Sequence, residues 1–290
     1  MALCQAAHER KQTSGRAQIL VLYEVEPAGR EPLETGQGDV IPVAVCGLEK
    51  ITHADLLHGL ASGFDVIHMQ ACSSPAAVQH QQQEVELVQV LGGSGRILLF
   101  DGAASLMRRL AAGIFPFPSI APEVLAVGSR RDTARASAAA LLPASAGRIG
   151  LPEQAPYGAI SVDESSCNNC SSCVWVCPSD ALSLTENGCE LSFVESLCFQ
   201  CGLCISICPQ RALSMAPGMD LSASAVLPQR LAGQAAHAEG TAPPAAAAGP
   251  GSEDTAAIAA PLAASAAGAS FPPADAGFSF APGTRHTGRV

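Results

Sequence analysis

Eight of the twelve cysteines fall into two runs of identical spacing. Each run reads C-x2-C-x2-C-x3-C-P, and each cysteine of the first run recurs in the second at an offset of 31 residues. The phrase Ala-Leu-Ser after each run recurs at the same offset, which indicates a duplicated supersecondary unit. The candidate ligands are Cys167, Cys170, Cys173, Cys177, Cys198, Cys201, Cys204 and Cys208.

This spacing predicts iron–sulfur chemistry. Three cysteines spaced by two residues can surround one face of a cubic cluster, but the fourth iron needs a thiolate from elsewhere. In runs of this pattern the fourth cysteine serves the other cluster. We therefore predict two [4Fe-4S] clusters as cofactors. One is assigned to Cys167, Cys170, Cys173 and Cys208, and the other to Cys198, Cys201, Cys204 and Cys177.

Zinc and disulfides fit these cysteines less well. Structural zinc uses two C-x2-C pairs with a longer spacer between them, rather than runs of four that end in Cys-Pro. Disulfides need an oxidising compartment, and the first 16 residues lack the apolar segment of a secretory signal. No stretch approaches the ~18 apolar residues that span a bilayer. We expect a cytoplasmic protein.

Short β-rich segments next to the two runs predict a ferredoxin-like fold. Ala159–Val162 and Ala212–Met215 are expected to pair as an outer hairpin. Leu182–Leu184 and Glu190–Phe193 flank Asn187-Gly188, a strong signal for a second hairpin. We therefore place a 2x[4Fe-4S] ferredoxin-type domain at residues 157–219.

This region resembles the bacterial dicluster ferredoxins, and the resemblance covers about a fifth of the chain. It implies a protein that passes single electrons between oxidoreductases and contains no catalytic residue. Acidic residues outnumber basic ones in the region, so an acidic face could steer it to a basic rim on a redox partner. A merely solvated surface is an equal alternative.

Residues 17–128 are predicted to form a small α/β domain with a doubly wound parallel sheet, because β-rich and helical segments alternate. Helices are expected from Thr52 to Ser62 and from Pro75 to Leu91. The candidate strands are Ile19–Val25, Val40–Val45, Asp65–Met69 and Ile97–Phe100.

Cys46 and Cys72 each follow a predicted strand, at the sheet edge where α/β proteins place their sites. The segments Ile41–Cys46, Gly63–Ile67 and Ala71–Cys72, with the helix after Thr52, resemble the small iron–sulfur subunit of methyl-viologen-reducing hydrogenases. That family is a partner of heterodisulfide reductase, and its cysteines here help to bind a [2Fe-2S] cluster. In this chain Ser73, Ser74 and Pro75 follow Cys72, so we expect a degenerate domain kept for docking.

The remaining segments are rich in small residues. Residues 129–156 are predicted to be a linker with one short helix around Asp132–Leu142, and residues 220–290 a disordered tail rich in Ala and Pro. The fold class is therefore α+β, with a small α/β domain, a ferredoxin-like dicluster domain and a disordered C-terminal tail. This domain order is similar to ferredoxin-type proteins associated with formate dehydrogenase.

Charge and motifs limit the possible functions. The net charge of -10 disfavours a nucleic-acid groove or an anionic membrane surface. The leading hypothesis is an electron carrier or electron-transfer subunit for a formate dehydrogenase-like, hydrogenase-like or heterodisulfide reductase-like partner. One alternative is a flavin or nucleotide module fed by the clusters, although no G-x-G-x-x-G follows the first strand. Another is an interaction scaffold with structural clusters.

Overall fold

A computed structural model describes residues 2–24, 38–112, 124–185 and 190–233. All of them belong to one compact unit, Met1–Glu239. The predicted tail lies outside the described residues from residue 234 onward. No helix in the described ranges is long and apolar enough to cross a membrane.

The N-terminal region is built on a four-stranded parallel sheet, which confirms the predicted parallel sheet. The strand order is β2-β1-β3-β4. The strands are β1 (Ala17–Tyr23), β2 (Gly38–Ala44), β3 (Val66–Gln70) and β4 (Ile97–Phe100). The helices of this region are α1 (Ala2–Ser14), α2 (His53–Ala61), α3 (Pro75–Val88), α4 (Ala103–Ala112) and α5 (Arg130–Leu141).

Local signals explain where α2 and α3 begin. The Asp55 carboxylate accepts hydrogen bonds from the amide and the hydroxyl of Thr52, at 3.0 and 2.9 Å, which forms a capping box. Ser74 accepts a hydrogen bond from the Ala77 amide, and Pro75 occupies the first turn of α3. Both helices begin where the sequence predicts.

Helices cover both faces of the sheet, so its strands are apolar on both sides. On one face, Leu20 and Ile67 belong to a core shared with α2, α3 and α5. On the other face, Val21 and Phe100 form a core with Leu106 of α4. Burial on both faces explains the continuous apolar runs that identify these strands in the sequence.

The segment assigned to a linker contains α5, and this helix packs against α2. Ala134 and Ala138 of α5 are fully buried in the core of the sheet. The alanines that suggest a flexible connection instead allow a close helix–helix approach. Cys4 lies in α1, and Lys11 of the same helix forms an ion pair with the buried Asp65 at 2.6 Å.

Both predicted hairpins of the C-terminal region are present. The outer one pairs β6 (Gly158–Val162) with β9 (Leu213–Pro217), and the inner one pairs β7 (Leu182–Leu184) with β8 (Glu190–Phe193). The predicted Asn187-Gly188 turn lies outside the described residues. Two short helices, α6 (Ser172–Val176) and α7 (Leu203–Ile207), complete the duplicated unit.

The ordered chain continues past the predicted boundary at residue 219. Strand β10 (Met219–Asp220) pairs with β5 (Arg148–Ile149), and β11 (Gln229–Gly233) adds to β8 as a further antiparallel strand. Residues 220–233 are therefore part of the fold and not of a disordered tail. Backbone hydrogen bonding holds β11, whose sequence has no strand-like alternation.

Candidate iron–sulfur site

The two cysteine runs form loops with the same backbone conformation. We call residues 167–177 the Cys167 loop and residues 198–208 the Cys198 loop. Left-handed residues recur at the offset of 31: Asn169 and Gln200 have φ of 55°, and Ser171 and Gly202 have φ of 63° and 73°. In such a conformation the chain turns back sharply, so that a short loop can bring three cysteines to one side. The duplication seen in the sequence is therefore a duplication in structure.

The first cavity lies under the Cys167 loop and, counted together with the open solvent at its entrance, has an empty volume of about 430 Å³. Its wall contains three cysteines of this loop together with Cys208, which comes from the end of the Cys198 loop. Leu184, Leu191 and Leu213 close its base with apolar surface. The cysteines that line it are Cys167, Cys170, Cys173 and Cys208.

The second cavity is the counterpart under the Cys198 loop, with an empty volume of about 340 Å³ on the same measure. Three cysteines of this loop and Cys177 line it, and Ile160, Leu182 and Phe193 provide the apolar base. The cysteines are Cys198, Cys201, Cys204 and Cys177. Both cavities thus have the composition that the spacing predicts, with one cysteine exchanged between the loops.

Four thiols around an apolar cavity are a donor set that fits a [4Fe-4S] cube, because each thiolate can bind a different iron atom. A single ion requires its ligands to converge on one point. Within the described residues, no three His, Cys, Asp or Glu side chains are grouped to hold a single metal ion.

The surroundings of the cysteine sulfurs shift their acidity in opposite directions. Burial raises the pKa of Cys198, and it raises the pKa of Cys204 to about 11. Burial also disfavours the Cys177 thiolate, but hydrogen bonds from Ser179, Leu182 and Ala181 outweigh it and lower the pKa of Cys177. Cys170 is exposed, and its hydrogen bond with Ser172 at 3.4 Å lowers its pKa.

Arg131 of α5 contacts the Cys198 loop directly. Its Nε and Nη1 atoms donate to the carbonyls of Ser196 and Pro156, at 2.6 and 2.5 Å, and its Nη2 donates to the carbonyl of Cys198. The guanidinium also lies over the ring of Tyr157, 4.2 Å from its centroid. This cation–π contact and the three hydrogen bonds attach the loop to the α/β region.

A buried polar chain supports the position of Tyr157. Its hydroxyl lies 2.7 Å from His53 Nε2, while His53 Nδ1 lies 2.7 Å from a Glu84 carboxylate oxygen. Burial raises the pKa of Tyr157 to about 12. Burial also opposes ionisation of Glu84, but the contacts with His53 outweigh it and lower the pKa of this carboxyl. Sequence reasoning missed both Arg131 and this chain, because their partners are far apart in sequence.

Cys46 and Cys72 lie at the ends of β2 and β3, which flank β1 in the sheet. Cys46 is exposed, and Cys72 is half-buried with its amide bonded to Gln81 at 2.8 Å. Burial, with Glu49 and Glu24 nearby, raises the pKa of Cys72. The structure does not bring these two cysteines together with a third ligand in the described ranges.

Comparison with known proteins supports this description of the cysteine loops. Residues 166–212 match the family model of the 4Fe-4S dicluster domain. Residues 166–212 therefore belong to a 4Fe-4S ferredoxin-type domain. The match supports 4Fe-4S binding and a role in electron transfer. A search of curated proteins found no match to this chain. The resemblance of the N-terminal region to a hydrogenase subunit therefore stays a prediction.

Proposed function

We propose that this protein binds two [4Fe-4S] clusters and passes single electrons to or from a larger oxidoreductase. The observation that carries this proposal is the pair of cavities, each lined by three cysteines of one loop and one of the other. The match to the 4Fe-4S dicluster family over these loops supports it independently.

The chain's own residues hold, insulate and expose the clusters. When bound, each cluster supplies a centre that takes up or releases one electron. The eight thiolates hold the irons, while Leu191 and Phe193 keep water from the base of each cavity. Cys170 and Cys201 are exposed, so each site has one edge at the surface through which an electron can reach a partner.

The partner belongs to the proposal as well. A formate dehydrogenase-like, hydrogenase-like or heterodisulfide reductase-like enzyme in the cytoplasm would suit a small iron–sulfur protein that carries no catalytic residue of its own. The α/β region, with Cys46 and Cys72 at its strand ends, is proposed as the part that docks to such an enzyme.

Metal analysis and EPR test the proposal directly. On anaerobically purified protein we expect about eight iron and eight acid-labile sulfide per chain, and an interacting EPR signal after dithionite reduction. Zinc without sulfide would show the proposal to be wrong. Clusters that dithionite cannot reduce would favour the structural scaffold instead. An excess of about two iron would point to a further cluster at Cys46 and Cys72.

The sheet order gives one observation in favour of a second function. The order β2-β1-β3-β4 reverses between β1 and β3, where doubly wound proteins bind nucleotides or flavins. A flavin bound there would receive electrons from the clusters. An absorption spectrum of the supernatant after acid treatment tests this possibility. Released flavin absorbs in the visible region, and the spectrum of released iron and sulfide differs from that of flavin.

A further inference from the structure

The duplicated loops share a backbone but differ in the charges beside their first cysteine. At the Cys198 loop, the guanidinium of Arg131 donates to the carbonyl of Cys198 itself. At the Cys167 loop, Asp163 precedes the first cysteine and accepts hydrogen bonds from Ser165 and Ser166. The position 31 residues after Asp163 is Val194, so the repeat does not place a carboxylate there.

Among the described residues, no carboxylate lies within ion-pair distance of Arg131, although the neighbouring Asp132 interacts with its charge. Within the described ranges Arg131 forms no ion pair, and its donors are bound to the carbonyls of Pro156, Ser196 and Cys198. Aromatic rings cover the guanidinium, with Tyr157 at 4.2 Å and Phe199 at 5.5 Å. An arginine keeps its charge at any physiological pH, and partial burial reduces the screening of that charge by water.

A nearby positive charge should stabilise a reduced cluster more at the Cys198 site than at the Cys167 site, because the Cys198 site is more buried. Cys198 and Cys204 are buried, whereas their counterparts Cys167 and Cys173 are only half-buried. Burial penalises negative charge, and reduction adds one electron to a cluster that is already held by four thiolates. A cation fixed at the Cys198 carbonyl offsets that penalty, and the offset is larger in the reduced state.

We propose that Arg131 raises the reduction potential of the site formed by Cys198, Cys201, Cys204 and Cys177, and leaves the Cys167 site largely unaffected. This inference rests on the proposed function. It makes the α/β region a determinant of the potential at one of two sites that have identical ligands. Arg131 acts through its charge and does not bind the cluster, so it is a positioning residue.

A potentiometric titration followed by EPR tests the proposal with three variants. Arg131→Gln keeps hydrogen-bond donors without the charge, and Arg131→Lys keeps the charge. Arg130→Gln is the matched control, because Arg130 precedes Arg131 on α5 but is exposed and faces Asp55 at 3.7 Å. For R131Q we expect the reduction potential of one site to fall by about 59 mV, which is a tenfold change in the one-electron equilibrium constant. The potential of the other site should not change.

The controls separate charge from geometry. R131K is expected to retain most of the wild-type potential, and R130Q all of it. The proposal fails if R131Q leaves both potentials unchanged, if both shift equally, or if R131K behaves like R131Q. Iron and sulfide content are measured in every sample. Wild-type protein that lacks iron and sulfide contradicts the proposed function itself, which is a different outcome from an unshifted potential.

A second variant covers the case in which R131Q does not incorporate iron. Arg131→His is charged at pH 5.5 and neutral at pH 8.5, so the charge can be removed after folding. We expect one reduction potential of R131H to be lower at pH 8.5 than at pH 5.5. This drop should exceed that of the same potential in the wild type by about 59 mV, which is a tenfold change in the one-electron equilibrium constant. An equal pH dependence in R131H and the wild type would overturn the proposal.

Discussion

The Cys167 loop and the Cys198 loop have the same cysteine spacing and the same left-handed turns, yet they differ in some of the residues beside the cysteines and in their contact with α5. Asn168 and Ser172 line the first cavity where Phe199 and Leu203 line the second. Only the Cys198 loop contacts α5 through Arg131 among the described residues. A cofactor with four thiolate ligands requires the same cysteine spacing in both loops. The residues around those cysteines depend on the neighbouring parts of the chain and can differ.

The two loops also differ in the apolar side chains that they expose. Phe199 and Leu203 leave about half of their surface exposed on the Cys198 loop, whereas the Cys167 loop exposes Trp175, at 88%. Apolar surface at a rim is the part of a protein that gains most from burial against a partner. Substitutions made in one loop at a time can therefore show which properties depend on the cluster and which depend on the residues around it.

The largest effect is expected from substitutions that test whether the fourth cysteine of each loop serves the site of the other loop. Cys208→Ala should remove the cluster of the Cys167 loop, because Cys208 lines that cavity, and iron content should fall by about half. Cys170→Ala should have the same effect for the same reason. The double variant C170A/C208A should then lose no more iron than either single variant, since both changes affect one site.

The matched double variant makes this test decisive. C170A/C177A removes one ligand from each cavity, so it should lose nearly all iron. If each fourth cysteine instead served its own loop, the results of the two double variants would be interchanged. Iron and sulfide analysis distinguishes these outcomes without any activity measurement.

The next prediction concerns the contact of β6 with the Cys198 loop. A Cβ at Gly158 would lie 2.4 Å from the Gln200 side chain and 2.5 Å from the Ala216 carbonyl. Gln200 in turn donates to the Cys198 sulfur at 3.6 Å. Gly158→Ala should therefore lower the free energy of unfolding by up to about 3 kcal/mol and disturb the EPR signal of the Cys198 site alone.

Gly147 provides the control for this substitution. An added Cβ there meets no atom within 4 Å, so Gly147→Ala should leave both the unfolding midpoint and the EPR spectrum unchanged. An equal loss of signal at both sites in G158A would mean that the clash spreads through the whole dicluster region. In that case the surroundings of the two loops are not independent.

Acid provides a third way to compare the loops, because it should destabilise the parallel sheet. Among the described residues, Arg131 of α5, which packs on that sheet, is bonded to the Cys198 loop and not to the Cys167 loop. His68 of β3 is fully buried, and neither ring nitrogen has a hydrogen-bond partner among the described residues. Burial, with Arg109 nearby, lowers the pKa of His68 to about 4. The unfolded chain binds a proton near pH 6.5, so stability falls as the pH drops from 6.5 towards 4. At pH 5 the loss should be about 2 kcal/mol.

Denaturant unfolding at pH 7.5 and pH 5 measures this loss, and His68→Leu should abolish the contribution of this residue. With the sheet weakened, the site retained in C208A should lose iron faster at pH 5 than the site retained in C177A. That difference should disappear in an H68L background. Equal rates in the wild-type background would contradict the idea that attachment through Arg131 matters for the Cys198 site.

The features that the sequence predicted well are those set by strict local rules. The grouping of the eight cysteines around two cavities follows from their spacing, and the four strands of the sheet follow from apolar runs that are buried on both faces. The hairpin of β7 and β8 follows from its flanking alternation. Each of these signals is contained within a short stretch of chain.

The features that the sequence did not predict depend on contacts between distant segments. Arg131 looks like any charged residue near a helix start, and its partners Ser196 and Cys198 lie 65 and 67 residues away. The sequence predicted a short helix around Asp132–Leu142 within a linker, but not that the small residues of this helix, α5, pack closely against α2. Strand β11 has no alternation and is held by pairing with β8.

The smallest effect is expected at the left-handed position where one loop has serine and the other has glycine. Ser171 and Gly202 occupy the same position of the repeat with φ of 63° and 73°, a conformation that glycine adopts without strain. Ser171→Gly should relieve strain in the Cys167 loop and raise stability by less than about 1 kcal/mol, whereas Gly202→Ser should lower it by about 1 kcal/mol.

Space does not limit the second change, since a Cβ at Gly202 would meet only the Met215 methyl group at 3.8 Å. Backbone conformation alone therefore separates the two variants. Thermal unfolding and the rate of iron loss to a chelator measure both effects. If S171G and G202S shift stability in the same direction, the side chain of Ser171 contributes more than its backbone strain. The hydrogen bond from its hydroxyl to the Asn169 carbonyl, at 3.4 Å, would then be the cause.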